Sequence, residues 1–414
     1  MNQVEELISN LCPNGVPVYS LGQIGTTVSG LRGKSKDDFS DGNAPYVSYV
    51  EIFNNSGIDF VPEKRVKVKS TENQSAIQLG DVLITGSSET RNECGMTAVI
   101  TQEPVLPIYV NSFCFIWRPN KGVELDPQFA KHLFRDRAFR DRVIETANGV
   151  TRQNISKPKF LAIEIPLPPI KVQREIASIL NNFTELEAEL EAELEARKTQ
   201  YVFYRESLFE NVNMALKPLD EVATIWRGRR FVKDDILSEG VPAVHYGEIY
   251  TKYGLAARKA YSYLDPAQAA KLRFASPGDV ILVSAGETIE DIGKSFTWLG
   301  EQDVVIHDAC YGIRSSTVDP RYMVHFFNTH NFRSQLRKYI SSSKISAIST
   351  EKLGKVFIPV PTLEIQRKIA NLLDSFDALI TDVSTGLPAE IFSRRTQYEY
   401  YRSALLTFQK PEVA

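Results

Sequence analysis

The side chains able to do chemistry are present, but they are not spaced for it. Two tripeptides, Gly33-Lys34-Ser35 and Gly293-Lys294-Ser295, end like a phosphate-binding loop. Such a loop needs a glycine five residues before the Gly-Lys pair, so that the backbone can turn around the phosphate. Val28 and Thr288 stand there, and both tripeptides read as basic turns. The five histidines, His132, His245, His307, His325 and His330, show no metal-ligand spacing. The four cysteines, Cys12, Cys94, Cys114 and Cys310, contain no Cys-x-x-Cys pair. No metal site and no disulfide framework is expected, and scattered thiols fit a reducing cytosol. His132 and His325 fall on matching amphipathic segments, where a structural role is expected.

Asp126-Pro-Gln-Phe129 and Asp319-Pro-Arg-Tyr322 approach the [D/N]-P-P-[Y/F] box with which amino-methyltransferases hold a target amine. Both lack the second proline, and the chain has no Gly-x-Gly cofactor turn. Asp then Pro ahead of an amphipathic run is the ordinary start of a helix, with Asp as N-cap and Pro at the first position. No Ser, His and Asp set stands out, so no catalytic residue is nominated and binding is expected instead.

The binding chemistry on offer is cationic. Phosphates are held by Lys, Arg and loop amides, while bases are read by Arg on guanine and by Asn or Gln on adenine. Gly149-Val-Thr-Arg152-Gln153-Asn154 places all three readers on one glycine-led loop, and its counterpart, Ser341 to Ser346, keeps a single cation, Lys344. The turns Gly30-Leu-Arg32-Gly-Lys34 and Arg227-Gly-Arg229-Arg230 correspond in position. The candidate DNA-binding set is Arg32, Lys34, Lys36, Arg91, Arg152, Gln153, Asn154, Arg227, Arg229, Arg230, His245, Tyr246, Lys294 and Lys344. Against it stands a net charge of -3 over 414 residues, which does not describe a uniformly basic protein. The acidity is local: residues 171–210 sum to -4 and residues 211–360 to +3.

Those candidates sit on a chain written twice. Ile165 to Leu180 (IPLPPIKVQREIASIL) answers Ile358 to Leu373 (IPVPTLEIQRKIANLL), and RKTQYVFYRESL from Arg197 answers RRTQYEYYRSAL from Arg394. Gly80 to Thr90 answers Gly278 to Thr288, and Tyr46 to Phe53 answers Ala243 to Tyr250. Each half has a front of short β-branched and aromatic runs with one late amphipathic helix, Pro127 to Ala147 and Pro320 to Ile340, and a helical back. In the backs, Val172, Ile176, Ile179, Phe183, Leu186 and Leu190 step by fours and threes, as do Ile365, Ile369, Leu372, Phe376, Leu379 and Val383. Two antiparallel helices burying these seams on each other, or on a partner, are expected, with Gln173 and Gln366 on the same packing faces. Thr184 to Arg197 (TELEAELEAELEAR) reads as an added spacer of three four-residue units, each about 6 Å long. Gly386 and Pro388, within Ser384 to Glu390, should break or bend the second helix.

The full chain resembles the DNA-specificity subunit of type I restriction-modification systems. The resemblance rests on the opening LCPNGVPVYSLGQIG, the GDVLI strand of each half, and I-P-[L/V]-P-x-x-x-x-Q-R-x-I-A leading twice into a long helix. It implies an α+β fold with two tandem mixed α/β target-recognition domains, residues 1–168 and 213–361, separated by long antiparallel coiled-coil helices, residues 169–212 and 362–414. Each domain is then expected to read half of a bipartite double-stranded DNA site. The chain would catalyse nothing and bind no cofactor. Two methyltransferase subunits and the restriction/translocase subunits would bring S-adenosylmethionine, ATP and Mg2+. A subunit serving a fused restriction-methylation enzyme and a self-contained DNA-modifying enzyme are the alternatives. The acidic, non-apolar opening MNQVEELISN and the lack of a long apolar run lead to the expectation of a cytoplasmic protein without membrane contact.

Overall fold

The structure is a computed structural model that describes residues 2–210, 215–341 and 346–409. It divides into two compact units, Met1–Leu190 with Ile391–Ala414, and Glu191–Glu390. The fronts expected over residues 1–168 and 213–361 fall one in each unit, and the helical segments 169–212 and 362–414 are each divided between the two. Each unit combines one front with helical segments from both halves of the chain.

In the first unit, strands β1 (Gly25–Ser29), β2 (Gly57–Ile58), β3 (Val82–Thr85), β4 (Thr97–Ile100) and β5 (Cys114–Pro119) form one sheet in the order β1-β5-β3-β4-β2. The second unit repeats it with β6 (Thr224–Arg227), β7 (Ala256–Ala257), β8 (Val280–Val283), β9 (Ser295–Trp298) and β10 (Cys310–Arg314), ordered β6-β10-β8-β9-β7. In each sheet only the outer pair is parallel, Gly57 opposite Val99 and Ala256 opposite Thr297. The central strands β3 and β8 are buried on both faces, which is why Val82-Leu83-Ile84 and Val280-Ile281-Leu282-Val283 run without polar alternation. One face of the first sheet, with Val82, Ile84 and Trp117, packs on Phe129, Leu133 and the helical back. The other, with Leu83 and Ile100, packs on Val47 and Ile52.

The repeated Gly-Asp-Val closes the start of each central strand. Gly80 and Gly278 have φ of +82° and +93°, where a side chain is strained. The buried Asp81 takes two hydrogen bonds from Arg118 at 2.7 and 2.6 Å, and Asp279 takes the same pair from Arg314 at 2.7 and 2.6 Å.

The amphipathic segments expected as single helices are each two. Pro127–Leu133 is followed by Arg137–Thr146, and Pro320–Phe327 by His330–Arg337. Asp136 and Thr329 restart them as N-caps, accepting from Ala138 N at 3.0 Å and Phe332 N at 3.2 Å. Asp126 and Asp319 cap the first helices as expected, each accepting two backbone N–H groups at 2.9 to 3.3 Å.

The long helix α1 (Ile170–Glu210) runs unbroken for 41 residues, about 60 Å. Its counterpart is broken, as Gly386 and Pro388 foretold, into α2 (Leu363–Thr381) and α3 (Leu387–Leu405). At Gly386 an added Cβ would lie 2.7 Å from the carbonyl oxygens of Ala378, Leu379 and Asp382, so the turn needs glycine for close approach of two backbones. Within the first unit α1 and α3 run antiparallel: Phe183 stacks on Tyr401 at 5.2 Å, and further along α1 Glu187 pairs with Arg395, earlier on α3.

The apolar seams lie partly elsewhere than expected. On α1, Val172, Ile176 and Leu180 are fully buried against the domain core, Ile179, Phe183 and Leu190 are half-buried, and Leu186 is exposed. On α2 the buried row is Gln366, Ile369, Ala370, Leu373 and Ile380. Of the predicted seam, Ile369 is buried and Phe376 half-buried, while Ile365, Leu372, Leu379 and Val383 are exposed. The shift has a steric cause. The domain helix Pro320–Phe327 packs on α2 and claims the neighbouring row, since its Tyr322, Met323 and Phe326 share one core with Ile369 and Leu373.

Candidate nucleic-acid interface

The two ends of each front differ in what they contact. At one end it is clamped to the helices by the glutamine of the repeated Q-R motif. Gln173, fully buried, accepts from Asp126 N at 2.8 Å and donates to the carbonyls of Glu124 and Pro168 at 2.8 and 2.7 Å. Gln366 accepts from Asp319 N at 2.7 Å and donates to Thr317 and Pro361 at 3.1 and 2.8 Å. The glutamines are therefore not ordinary helix-packing residues. They tie the N-cap of the domain helix to the first turn of the spacer.

The buried histidines add a second tie, drawn from the other half of the chain. His132 lies 2.9 Å from Tyr398 Oη on α3 and 2.8 Å from Asn181 Oδ1 on α1. His325 repeats this with Tyr201 at 3.4 Å and Asp374 at 2.8 Å. Tyr201 and Tyr398 are mates in the repeat, so each domain is held by its own helix and by the tyrosine of the other half. Burial pushes His132 down to about 4, a neutral structural imidazole.

At the opposite end of the first sheet, four loops meet. The Gly30 turn leaves β1, the Asn111 to Cys114 turn enters β5, Gly86 leaves β3, and the hairpin of Ala147–Asn148 with Gln153–Ile155 pairs with Ser87–Ser88. They are joined by backbone bonds: Gly30 N to Cys114 O at 3.3 Å, Gly86 N to Phe113 O at 2.9 Å, and Ile155 N to Gly86 O at 2.9 Å. The second unit has the same row. Gly228 N donates to Cys310 O at 3.0 Å, Ser284 N to Ala309 O at 2.8 Å, and Ala285 pairs with Ala347. Gly30 and Gly228 are required here, because a Cβ would lie 2.3 Å from Asn111 O in one and 2.2 Å from His307 O in the other.

The row brings together most of the cations singled out by sequence, but not on equal terms. Arg32 is exposed, with its backbone held on both sides by Gln74 at 3.1 and 2.9 Å. Lys36 is exposed nearby. Lys34 is not available: its side chain is 2% exposed and bonds Glu72 and the Lys67 carbonyl. Arg91 and Arg152 are exposed; Arg91 donates to Ile144 O at 3.3 Å, and the Arg152 guanidinium lies 5.3 Å over the Phe113 ring. Gln153 and Asn154 use their amides to staple the hairpin, onto Gly149 O at 2.8 Å and Arg152 O at 3.2 Å.

In the second unit Arg227, Arg229 and Arg230 are exposed, the first two anchored on Asp308 O and Lys271 O at 2.7 Å each. His245 is buried at an N-cap, in a cluster with Phe231, Tyr246 and His307, and its ring accepts from Gly247 N at 3.3 Å, so it is a scaffold group rather than a surface reader. Tyr246 is half-buried beside it. Lys294 is drawn away to Asp291 at 3.3 Å and to the Tyr250 ring at 4.6 Å. Lys344 lies outside the described residues. Sequence reading missed two exposed apolar residues on the first row, Phe113 and Val150, because neither belongs to a periodic pattern. Among the described residues no group of His, Cys, Asp and Glu could hold a metal ion, and no helix is long and apolar enough to cross a membrane.

The sequence matches the family described as Type I restriction modification DNA specificity domain twice, over residues 13–196 and 211–392. The chain belongs to that family. A curated relative, the EcoR124I/EcoR124II type I restriction enzyme specificity subunit of Escherichia coli, is 28% identical over 272 residues, covering 63% of this chain and 67% of its own. In solved structures the fold recurs in a chain of the type I R-M system studied for complex assembly and conformational transition. There the TM-score is 0.65 at 18% identity, over 95% of this chain and 98% of the other. It recurs also in the HsdS subunit from Thermoanaerobacter tengcongensis, with TM-score 0.53, 18% identity, and 96% and 97% coverage. The two family segments each begin at a front and end in a helical back, as the internal repeat requires.

Proposed function

We propose that this chain is the DNA-specificity subunit of a type I restriction-modification complex, in which each front reads one half of a bipartite duplex site through its loop row. The observation that carries this reading is the duplicated polarity of the fronts: arginine-bearing loops at one end of a rigid sheet, and a glutamine and histidine clamp to the helices at the other. Loops fixed by glycine contacts and backbone bonds present Arg32 and Arg230 at equivalent positions, the chemistry that meets phosphates and guanine edges. The long helix α1, with its LEAE units, is suited to set the gap between half-sites. The exposed apolar row Ile365, Leu372 and Leu379 on α2 suits docking of methyltransferase subunits. Methyl transfer from S-adenosylmethionine and ATP-dependent cleavage then belong to partner subunits, the chain itself being non-catalytic, and the complex works in the cytoplasm.

The test is a genome-wide map of methylated adenines in cells expressing this chain with its methyltransferase. The expected result is one bipartite motif with a fixed gap, and exchanging the first front for that of a relative should change one half of the motif only. A contiguous motif, or a change in both halves, would overturn the assignment.

A further inference from the structure

We propose that the first front carries an apolar wedge, Val150 supported by Phe113 and Arg152, that enters a base step of its half-site and unstacks it. This rests on the DNA-reading function proposed above. A lone exposed apolar side chain carries no meaning. Here two occur together at the end of the sheet where the arginines are presented. Val150 is fully exposed at the tip of the hairpin, and Phe113, 56% exposed, lies on the adjoining turn.

The tip is built rather than loose. Gly149 has φ +136°, and an added Cβ would meet Arg152 O at 2.0 Å. Gln153 Nε2 closes the turn onto Gly149 O at 2.8 Å. The base of the hairpin is paired into the Ser87–Ser88 strand, Gln153 opposite Ser88. Such stapling fixes the valine in advance and so lowers the conformational entropy lost when it is held in a base step. Phe113 is fixed in turn, its N–H donating to Asn111 Oδ1 at 2.9 Å and its ring lying under the Arg152 guanidinium at 5.3 Å.

The surroundings select the occupant. Arg91, Arg152 and Lys159 are exposed around the hairpin, and Lys157 lies at its foot over the Phe115 ring. The carboxylates near the hairpin, Glu89, Glu93 and Glu145, are also exposed; Glu93 accepts from the Ser88 hydroxyl at 3.3 Å, and Glu145 sits in the last turn of the helix that leads into the hairpin. An apolar tip flanked by cations and amides is the chemistry of proteins that insert a side chain between stacked bases while holding the backbone. In the second row the residue placed like Phe113 is Ala309, so among the described residues that aromatic platform is found on the first front.

The experiment uses the full chain assembled with its methyltransferase subunits, and duplexes carrying the mapped motif with 2-aminopurine at single positions. Binding should raise fluorescence at one step of one half-site, apart from the methylated adenine, whose flipping gives its own signal. Val150→Ser and Phe113→Ala should remove that rise and weaken binding about tenfold, leave the flipping signal in place, and leave the other half-site unchanged. Val150→Phe should keep the rise. A wild-type complex that binds and methylates its motif with no such rise, or variants that keep it, would overturn the wedge and leave DNA reading standing. A wild-type complex that binds no duplex would sink both.

Discussion

Replacing Gln173 is the most demanding test of how the fronts are held. Gln173→Leu keeps the volume but strands three backbone groups, the N–H of Asp126 and the carbonyls of Glu124 and Pro168, of which the bond to Pro168 is fully buried and the other two part-buried. A buried group left unsatisfied costs about 1–3 kcal/mol, and part-buried groups recover some of that from water. The expected loss is about 2–4 kcal/mol, or about 4–16 °C in Tm for a unit of this size. Gln173→Glu should be worse at neutral pH, because it keeps the acceptor for Asp126 but sets an anion against two carbonyl oxygens. That carboxyl would take up a proton more readily folded than unfolded, so the deficit of this variant relative to the wild type should shrink as pH falls. Urea unfolding of both variants from pH 7 to 4.5, with hydrogen exchange over residues 119–135, gives the readout. Gln173→Leu within about 0.5 kcal/mol of the wild type, or Gln173→Glu whose deficit against the wild type at the same pH does not shrink on acidification, would refute the clamp.

His132 is held near 4 by burial, below its ordinary value of about 6.5, so the unfolded chain binds its proton first; the stability it supports is complete above pH 6.5 and should fall by about 3 kcal/mol as pH drops through 4. An NMR titration placing the imidazole near 6.5 would contradict this. Gly386→Ala should cost about 1–3 kcal/mol by forcing the α2 to α3 turn apart, since its Cβ would meet three carbonyl oxygens at 2.7 Å, and thermal unfolding will check it. Deleting Leu190 to Glu193 removes about 6 Å of helix and should shorten the gap in the methylation motif while preserving both half-site sequences; an unchanged gap would count against α1 as the ruler.

Much of the architecture was legible in the residues alone. The duplication is written in the sequence, and short β-branched and aromatic runs marked the fronts as built mostly on strands. Asp126 and Asp319 read as caps and behave as caps, and Gly386 with Pro388 foretold the break between α2 and α3. The candidate site was legible as a set of cations with a few polar and aromatic residues, not as an arrangement. Arg32 and Lys34 stand two residues apart on one turn with the same charge. Only the first meets solvent, because Glu72 and the Lys67 carbonyl, far along the chain, take the second. His245 looked like a surface reader and is a buried cap, while Val150 and Phe113 carried no pattern at all.

The difference is one of range. Caps, turns, strand character and helix breaks depend on a residue and its neighbours within a few positions, so the sequence by itself determined them, along with the repeat. Which row of α2 is buried, which cation is free of a carboxylate, and which tyrosine closes on His132 depend on groups tens to hundreds of residues away. Periodicity shows that a helix has an apolar face; which neighbour claims it was decided by the domain helix that folds down beside it. The tertiary structure alone decided that each unit is built from both halves of the chain, because burial is shared among elements that only packing brings together.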